Sequence, residues 1–173
     1  MRIRNGTIWT CYKTVAPATF TGQTSYAANG TTPTLLLRKA SAKMWTRPMR
    51  LDLSQAGTVA GGLINIVIKI DATDRLSSGG NAWLEQSVIT TQSDDASPEF
   101  TVLDSATATS EAATEPRTIF HGTLFQTVTA SGTGFVYDFD EEDIIGPTGS
   151  LLIYTYAATT GPTWQGTLTV REE

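Results

Sequence analysis

The chain has 173 residues, of which only 17% are charged, below the roughly 25% of ordinary globular domains. That length suits one domain with a substantial core, and the low charge with abundant Thr, Ala, Gly and Ser suits extended β structure better than helices. No apolar run reaches the roughly 18 residues a transmembrane helix needs, no signal-like apolar run follows Arg4, and the single Cys11 excludes an internal disulfide.

The charge is divided along the chain. The first fifty residues hold Arg2, Arg4, Lys13, Arg38, Lys39, Lys43, Arg47 and Arg50 and no acid, a formal +8. Residues 51–173 hold four basic side chains and all 17 acids, a formal −13. Asymmetry of this kind bears on partners and assembly more than on fold. Without a secretion signal, cytosolic synthesis is expected, and the sequons at Asn5 and Asn29 carry little weight.

In chain order, Arg2–Trp9 reads as a hairpin or sharp turn, because Asn5-Gly6 tolerates the positive φ of a tight turn. Thr14–Leu37 has no charged residue and too little clustered apolar surface to fold alone. It is expected to lie extended over a surface, its own or a neighbour's, so that residues 1–34 form an N-terminal arm ahead of a body over 35–173. In Trp45–Leu53 the apolar residues Trp45, Met49, Leu51 and Leu53 share one parity, and Pro48 predicts an edge or a bulge. Leu63–Ile70 alternates strictly, with Ile64, Ile66, Ile68 and Ile70 on one face.

Ala82–Thr91 is compatible with a short helix or a strand, and Ser105–Glu115 reads as a long surface loop. Ile119–Val128 has apolar residues on both faces and predicts a strand buried on both sides. Phe135, Tyr137 and Phe139 alternate in the next strand, and Leu151–Tyr156 reads as a central strand. In the last strand Trp164, Gly166, Leu168 and Val170 face inward. Six or more strands with long connections predict an all-β fold, a β-sandwich and within that class a jelly roll.

Chemistry is thinly supplied. His121 lies within a predicted strand with no local acid or nucleophile partner, so no general base is assembled from neighbouring residues. Cys11 reads as a packed thiol. No His/Cys cluster has zinc spacing. The acidic run offers Asp138, Asp140 and Glu142 as hard-cation ligands, but without the spacing of an EF-hand loop, and a solvated turn is the simpler reading. No enzyme activity and no cofactor are expected. Direct nucleic-acid binding is disfavoured by the −13 body. A carbohydrate-binding β-sandwich, such as a head-fibre or lectin-like module, is the rival reading, with Trp9, Tyr12, Trp83 and Tyr26 as exposed aromatics and Trp45 and Trp164 as core.

Phe135-Val-Tyr-Asp-Phe139, Ser150-Leu-Leu-Ile-Tyr-Thr-Tyr156 and Thr163-Trp-Gln-Gly-Thr-Leu-Thr-Val170 resemble the closing strands of viral jelly-roll capsid and capsid-associated proteins. The uncharged Thr/Ala/Pro stretch is similar to the arms with which virion proteins tie neighbours together. The resemblance covers residues 119–173 and the arm. It implies a structural virion protein of bacteriophage type on the capsid surface, a decoration (cement) or accessory capsid protein, contacting other capsid proteins and copies of itself, with a trimer favoured and no membrane partner. Docking is then expected from Arg2, Arg4, Trp9 and Tyr12 at the tip, Phe20 and Tyr26 along the arm, and Arg38, Lys39 and Lys43 at its root.

Overall fold

The computed structural model describes residues 7–13, 19–26, 30–39, 43–57, 63–88, 97–111, 116–125 and 134–173. The chain is all-β. Its strands are β1 (Thr7–Tyr12), β2 (Phe20–Thr21), β3 (Leu35–Arg38), β4 (Thr46–Gln55), β5 (Leu63–Asp71), β6 (Leu76–Ala82), β7 (Leu84–Ser87), β8 (Thr101–Ala108), β9 (Arg117–Phe125), β10 (Gly134–Asp138), β11 (Ser150–Tyr156) and β12 (Thr163–Glu172). They form two antiparallel sheets packed as a β-sandwich. One runs β10-β4-β12-β1-β7, with β2 added to β12; the other runs β6-β8-β3-β11-β5-β9. Among the described residues no helix is long and apolar enough to cross a membrane.

The alternating sequences account for the core. Leu35 and Leu37 of β3, Ile64, Ile66 and Ile68 of β5, and Leu151 and Ile153 of β11 line one wall. Trp9 and Cys11 of β1, Leu51 and Leu53 of β4, and Trp164, Leu168 and Val170 of β12 line the other. Burying each large apolar side chain contributes about 1.5–3 kcal/mol. β11 is central as expected, lying between β3 and β5 and buried on both faces to Thr155. Its outward Leu152 and Tyr154 join Leu36, Val67, Leu103, Ala106 and Ala108 in a second apolar cluster on the outer side of that sheet. Gly166 of β12 is required by close approach, because a Cβ there would run into the Asp52 carbonyl of β4.

Irregularities change several facings. In β4, Arg50 pairs with Thr169 but Pro48 pairs with Val170, so Met49 is the extra residue of a β-bulge. Pro48 therefore marks a bulge, as its sequence position predicts. One extra residue exchanges inward and outward positions. Leu51 and Leu53 face the core, whereas Met49 and Trp45 lie outside; Trp45 is 53% exposed, against the expectation of a core position. In β9 the register shifts so that Ile68 pairs with Phe120 and Lys69 with Thr118, leaving Ile119 as the extra residue.

β9 is also the end strand of its sheet, and Ile119, Phe120 and Leu124 are only half-buried. The expectation of burial on both sides fails: among the described residues no further strand pairs with that edge, and Thr118, His121 and Thr123 are exposed. β10 ends the opposite sheet, and Phe120 meets Phe135 and Tyr137 at ring-centroid distances of 5.3 and 5.1 Å, closing the sandwich between the two edges. Part of Ala82–Thr91 is strand β7. Residues 105–108, expected in a loop, belong to β8, where Ser105 has φ 56° and small Ala106 and Ala108 are buried in the second cluster.

The stretch expected to form the arm is bonded to the chain's own body wherever it is described. β1 lies between β12 and β7. Phe20 is buried against Trp83, with ring centroids 5.1 Å apart. Gln23 N–H donates to the Thr155 carbonyl at 2.9 Å, and Thr34 N–H donates to the Ile153 carbonyl at 2.7 Å. Tyr26 packs edge-on against Tyr154 at 5.2 Å. Gly30 sits at φ +60°, where Glu111 leaves no room for a side chain. The hairpin expected around Asn5-Gly6 lies mostly outside the described residues.

Candidate functional site

The opposed charges of the two halves of the sequence meet within one chain. Lys13 pairs with Asp104 at 3.0 Å and Arg47 with Glu173 at 3.6 Å. Arg38 pairs with Asp74, and Arg50 with Asp52 at 2.9 Å and Asp138 at 3.5 Å. The last two partners of Arg50 are well exposed, so those pairs contribute little stability. Lys69, Glu111 and Tyr154 form a buried set: the ammonium reaches Glu111 Oε2 at 2.6 Å, and the Tyr154 hydroxyl donates to Glu111 Oε1 at 2.8 Å. Burial opposes the charge of Lys69, but the hydrogen-bonded Glu111 carboxylate, with the Tyr26 side chain nearby, outweighs it and raises the ammonium above its ordinary range.

Among the expected docking residues, Trp9 and Phe20 are built into the core. Tyr12 is half-buried and donates to Gln86 Oε1 at 3.1 Å, and Tyr26 is half-buried against two tyrosines. Lys39 is fully buried and donates to the Met44 carbonyl and to Thr46 Oγ1 at 2.6 Å. Lys43 is exposed. Arg2 and Arg4 lie outside the described residues. Trp83, expected as an exposed aromatic, is buried, with its indole N–H donating to Asp104 Oδ2 at 3.0 Å.

The acidic run folds into a turn rather than a ligand cage. Asp143 is buried, accepts from Arg117 at 2.7 Å and accepts the Asp140 N–H at 3.2 Å. Asp138, Asp140 and Glu142 are exposed, and among the described residues no three His, Cys, Asp or Glu side chains are grouped to hold a metal ion. His121 is exposed on β9. Cys11 is buried, and desolvation, with Glu85 and Glu172 nearby, pushes its thiol far above the ordinary range, away from thiolate chemistry.

The feature that stands out is a depression of about 350 Å³ lined by Trp45, Arg47, Ile144 and Glu173. Its position follows from the β4 bulge and from a set of anchors beneath it. Glu99 Oε2 accepts the N–H groups of Lys43 and Met44 at 2.6 and 2.9 Å. Those bonds hold the Glu99 carboxyl below its usual range. Lys39 grips the Met44 carbonyl from inside, its ammonium lowered by burial. Glu172 accepts from the Trp9 indole at 3.1 Å and from the Glu99 N–H at 2.9 Å, and burial raises its carboxyl.

Trp45 and Glu173 exchange both backbone hydrogen bonds, at 3.1 and 3.0 Å, and Thr46 and Ile145 do the same at 3.0 and 2.8 Å. The indole is thus exposed while its backbone is fixed on every side. Arg47 Nε is buried without a hydrogen-bond partner. Trp45 and Arg47 are the residues that strict alternation misplaces; Pro48 is the signal that the alternation should be restarted there. No protein-family model, no curated protein and no solved structure matches this chain.

Proposed function

We propose that the chain is a non-enzymatic structural protein of a virus particle, a decoration or accessory capsid protein built on a jelly roll. The observation that carries the reading is the strand pairing. β1 pairs with β12, β3 with β11, β4 with β10 and β5 with β9. These are the pairs of one long hairpin wound so that its strands alternate between two sheets, the arrangement of a jelly roll. The strands β6, β7 and β8 are then an insertion that extends both sheets at one side. The closing-strand resemblance supports the virion role.

The interior supports a passive, rigid role as well. The N-terminal stretch is tied to its own body by core side chains and backbone bonds, and four basic residues of the first fifty, Lys13, Arg38, Arg47 and Arg50, meet acids of the same chain. Docking on a shell is therefore assigned to Lys43, Arg2 and Arg4 together with exposed sheet faces, and not to Trp9 or Phe20. The partners in this reading are shell subunits and further copies of the chain, and the location is the capsid surface after synthesis in the host cytoplasm. Mixing the purified protein with shells lacking it, then separating by sedimentation, tests the reading. Saturable co-sedimentation supports it; a protein that stays in the free fraction at every ratio overturns it.

A further inference from the structure

We infer that the Trp45 depression is a binding site for a neutral saccharide. The inference goes beyond the structural role proposed above and does not depend on it. Among the four tryptophans, Trp9, Trp83 and Trp164 are between 0% and 5% exposed, while Trp45 is 53% exposed. Large aromatic side chains gain most by burial, so an indole left outside on a fixed backbone is a surface prepared before any ligand arrives. The face of an indole carries the negative part of its quadrupole, and the C–H face of a pyranose ring presents the complementary positive edge.

The rest of the depression fits the same ligand. Ile144 adds apolar area beside the indole. Arg47 and Glu173 lie on the wall at 3.6 Å from each other, a loose pair whose donors and acceptors both suit sugar hydroxyls. A mostly apolar concavity with a few convergent polar groups is the usual form of a small-molecule site. Its volume of about 350 Å³ suits one or two sugar rings rather than a long chain.

Charge selects within the class. Glu173 is shared by Arg47 and Arg171, at 3.6 and 3.4 Å, and the turn that leads into Ile144 carries exposed Asp140, Glu141 and Glu142. A carboxylated sugar approaching that turn meets like charge, whereas a neutral hexose does not.

The test uses the full chain with methyl glycosides of glucose, galactose, mannose and N-acetylglucosamine, and N-acetylneuraminic acid as the charged comparison. Saturation-transfer NMR reports contact, and tryptophan fluorescence reports affinity. At least one neutral glycoside should bind, Trp45→Ala should weaken it tenfold or more, and Trp45→Phe should weaken it less. Glu141→Gln with Glu142→Gln should narrow the gap between the neutral sugars and N-acetylneuraminic acid. Unchanged melting of Trp45→Ala shows that folding is intact. The inference is overturned if no neutral glycoside binds, if Trp45→Ala binds as well as the parent, or if the charged sugar binds more tightly.

Discussion

Replacing Trp9 by Ala probes whether the N-terminal strand is part of the core. Trp9 is 5% exposed and sits on β1, with β12 on one side and β7 on the other. Removing a buried Trp side chain costs about 3–5 kcal/mol through lost transfer energy and the cavity left behind. Its indole N–H also serves the buried Glu172 carboxyl at 3.1 Å, and an acceptor deprived of its donor adds about 1–3 kcal/mol. A loss of about 4–8 kcal/mol is a large part of the roughly 5–15 kcal/mol that holds a domain together. For a chain of this size each kcal/mol moves the melting temperature by about 2–4 °C, so a drop of about 8–32 °C is expected.

Circular dichroism melts of the parent, Trp9→Ala and Trp9→Phe measure it. Trp9→Phe, which keeps most of the ring but not the N–H, should fall between the other two. A Trp9→Ala melting temperature within about 3 °C of the parent would refute the reasoning, since only exposed positions are that tolerant.

Three further outcomes follow from the interior. Glu111→Ala leaves Lys69 buried without its carboxylate and should cost about 3–5 kcal/mol in urea unfolding, while adding Lys69→Met should recover much of that loss. Asp104 is pushed up by burial, but hydrogen bonds from Asn81, Lys13, Trp83 and Ser105 prevail and hold it below 3.8. The unfolded chain therefore takes up that proton first, and the stabilisation is complete above pH 3.8 and lost as pH falls through the folded value. Asp104→Asn should be less stable than the parent at neutral pH, and the difference should shrink in melts below pH 3.8; a difference that stays constant contradicts this. Gly166→Val forces a side chain against the Asp52 carbonyl and Leu53 and should cost about 1–3 kcal/mol by overpacking, read from the urea midpoint.

The β class and the inward set of β12 were legible because the alternation there is unbroken, and the central place of β11 because its apolar residues occupy both faces. Facing was lost where a bulge interrupts the alternation. At Met49 one extra residue turned Trp45 outward, and at Ile119 another spread apolar residues over both sides of an edge strand. The β8 strand was obscured by its composition: Ala106 and Ala108 pack under a sheet although neither carries a large side chain. The charge division was plain in the sequence, but its resolution was not. Ion pairs such as Lys13 with Asp104 join residues far apart in the chain, and only the strand order brings them together. Trp45 was hidden for a similar reason, since its anchors Glu99, Glu172 and Glu173 come from distant segments.

The central claim is that this sandwich is a component of a virus particle. Quantitative mass spectrometry of gradient-purified particles from cells that make the protein tests it most directly. The account predicts that the chain bands with the particles at a fixed ratio to the shell subunit, and keeps that ratio through a second gradient. A ratio that falls toward zero on repeated purification, with the protein recovered among free cell proteins, would contradict it.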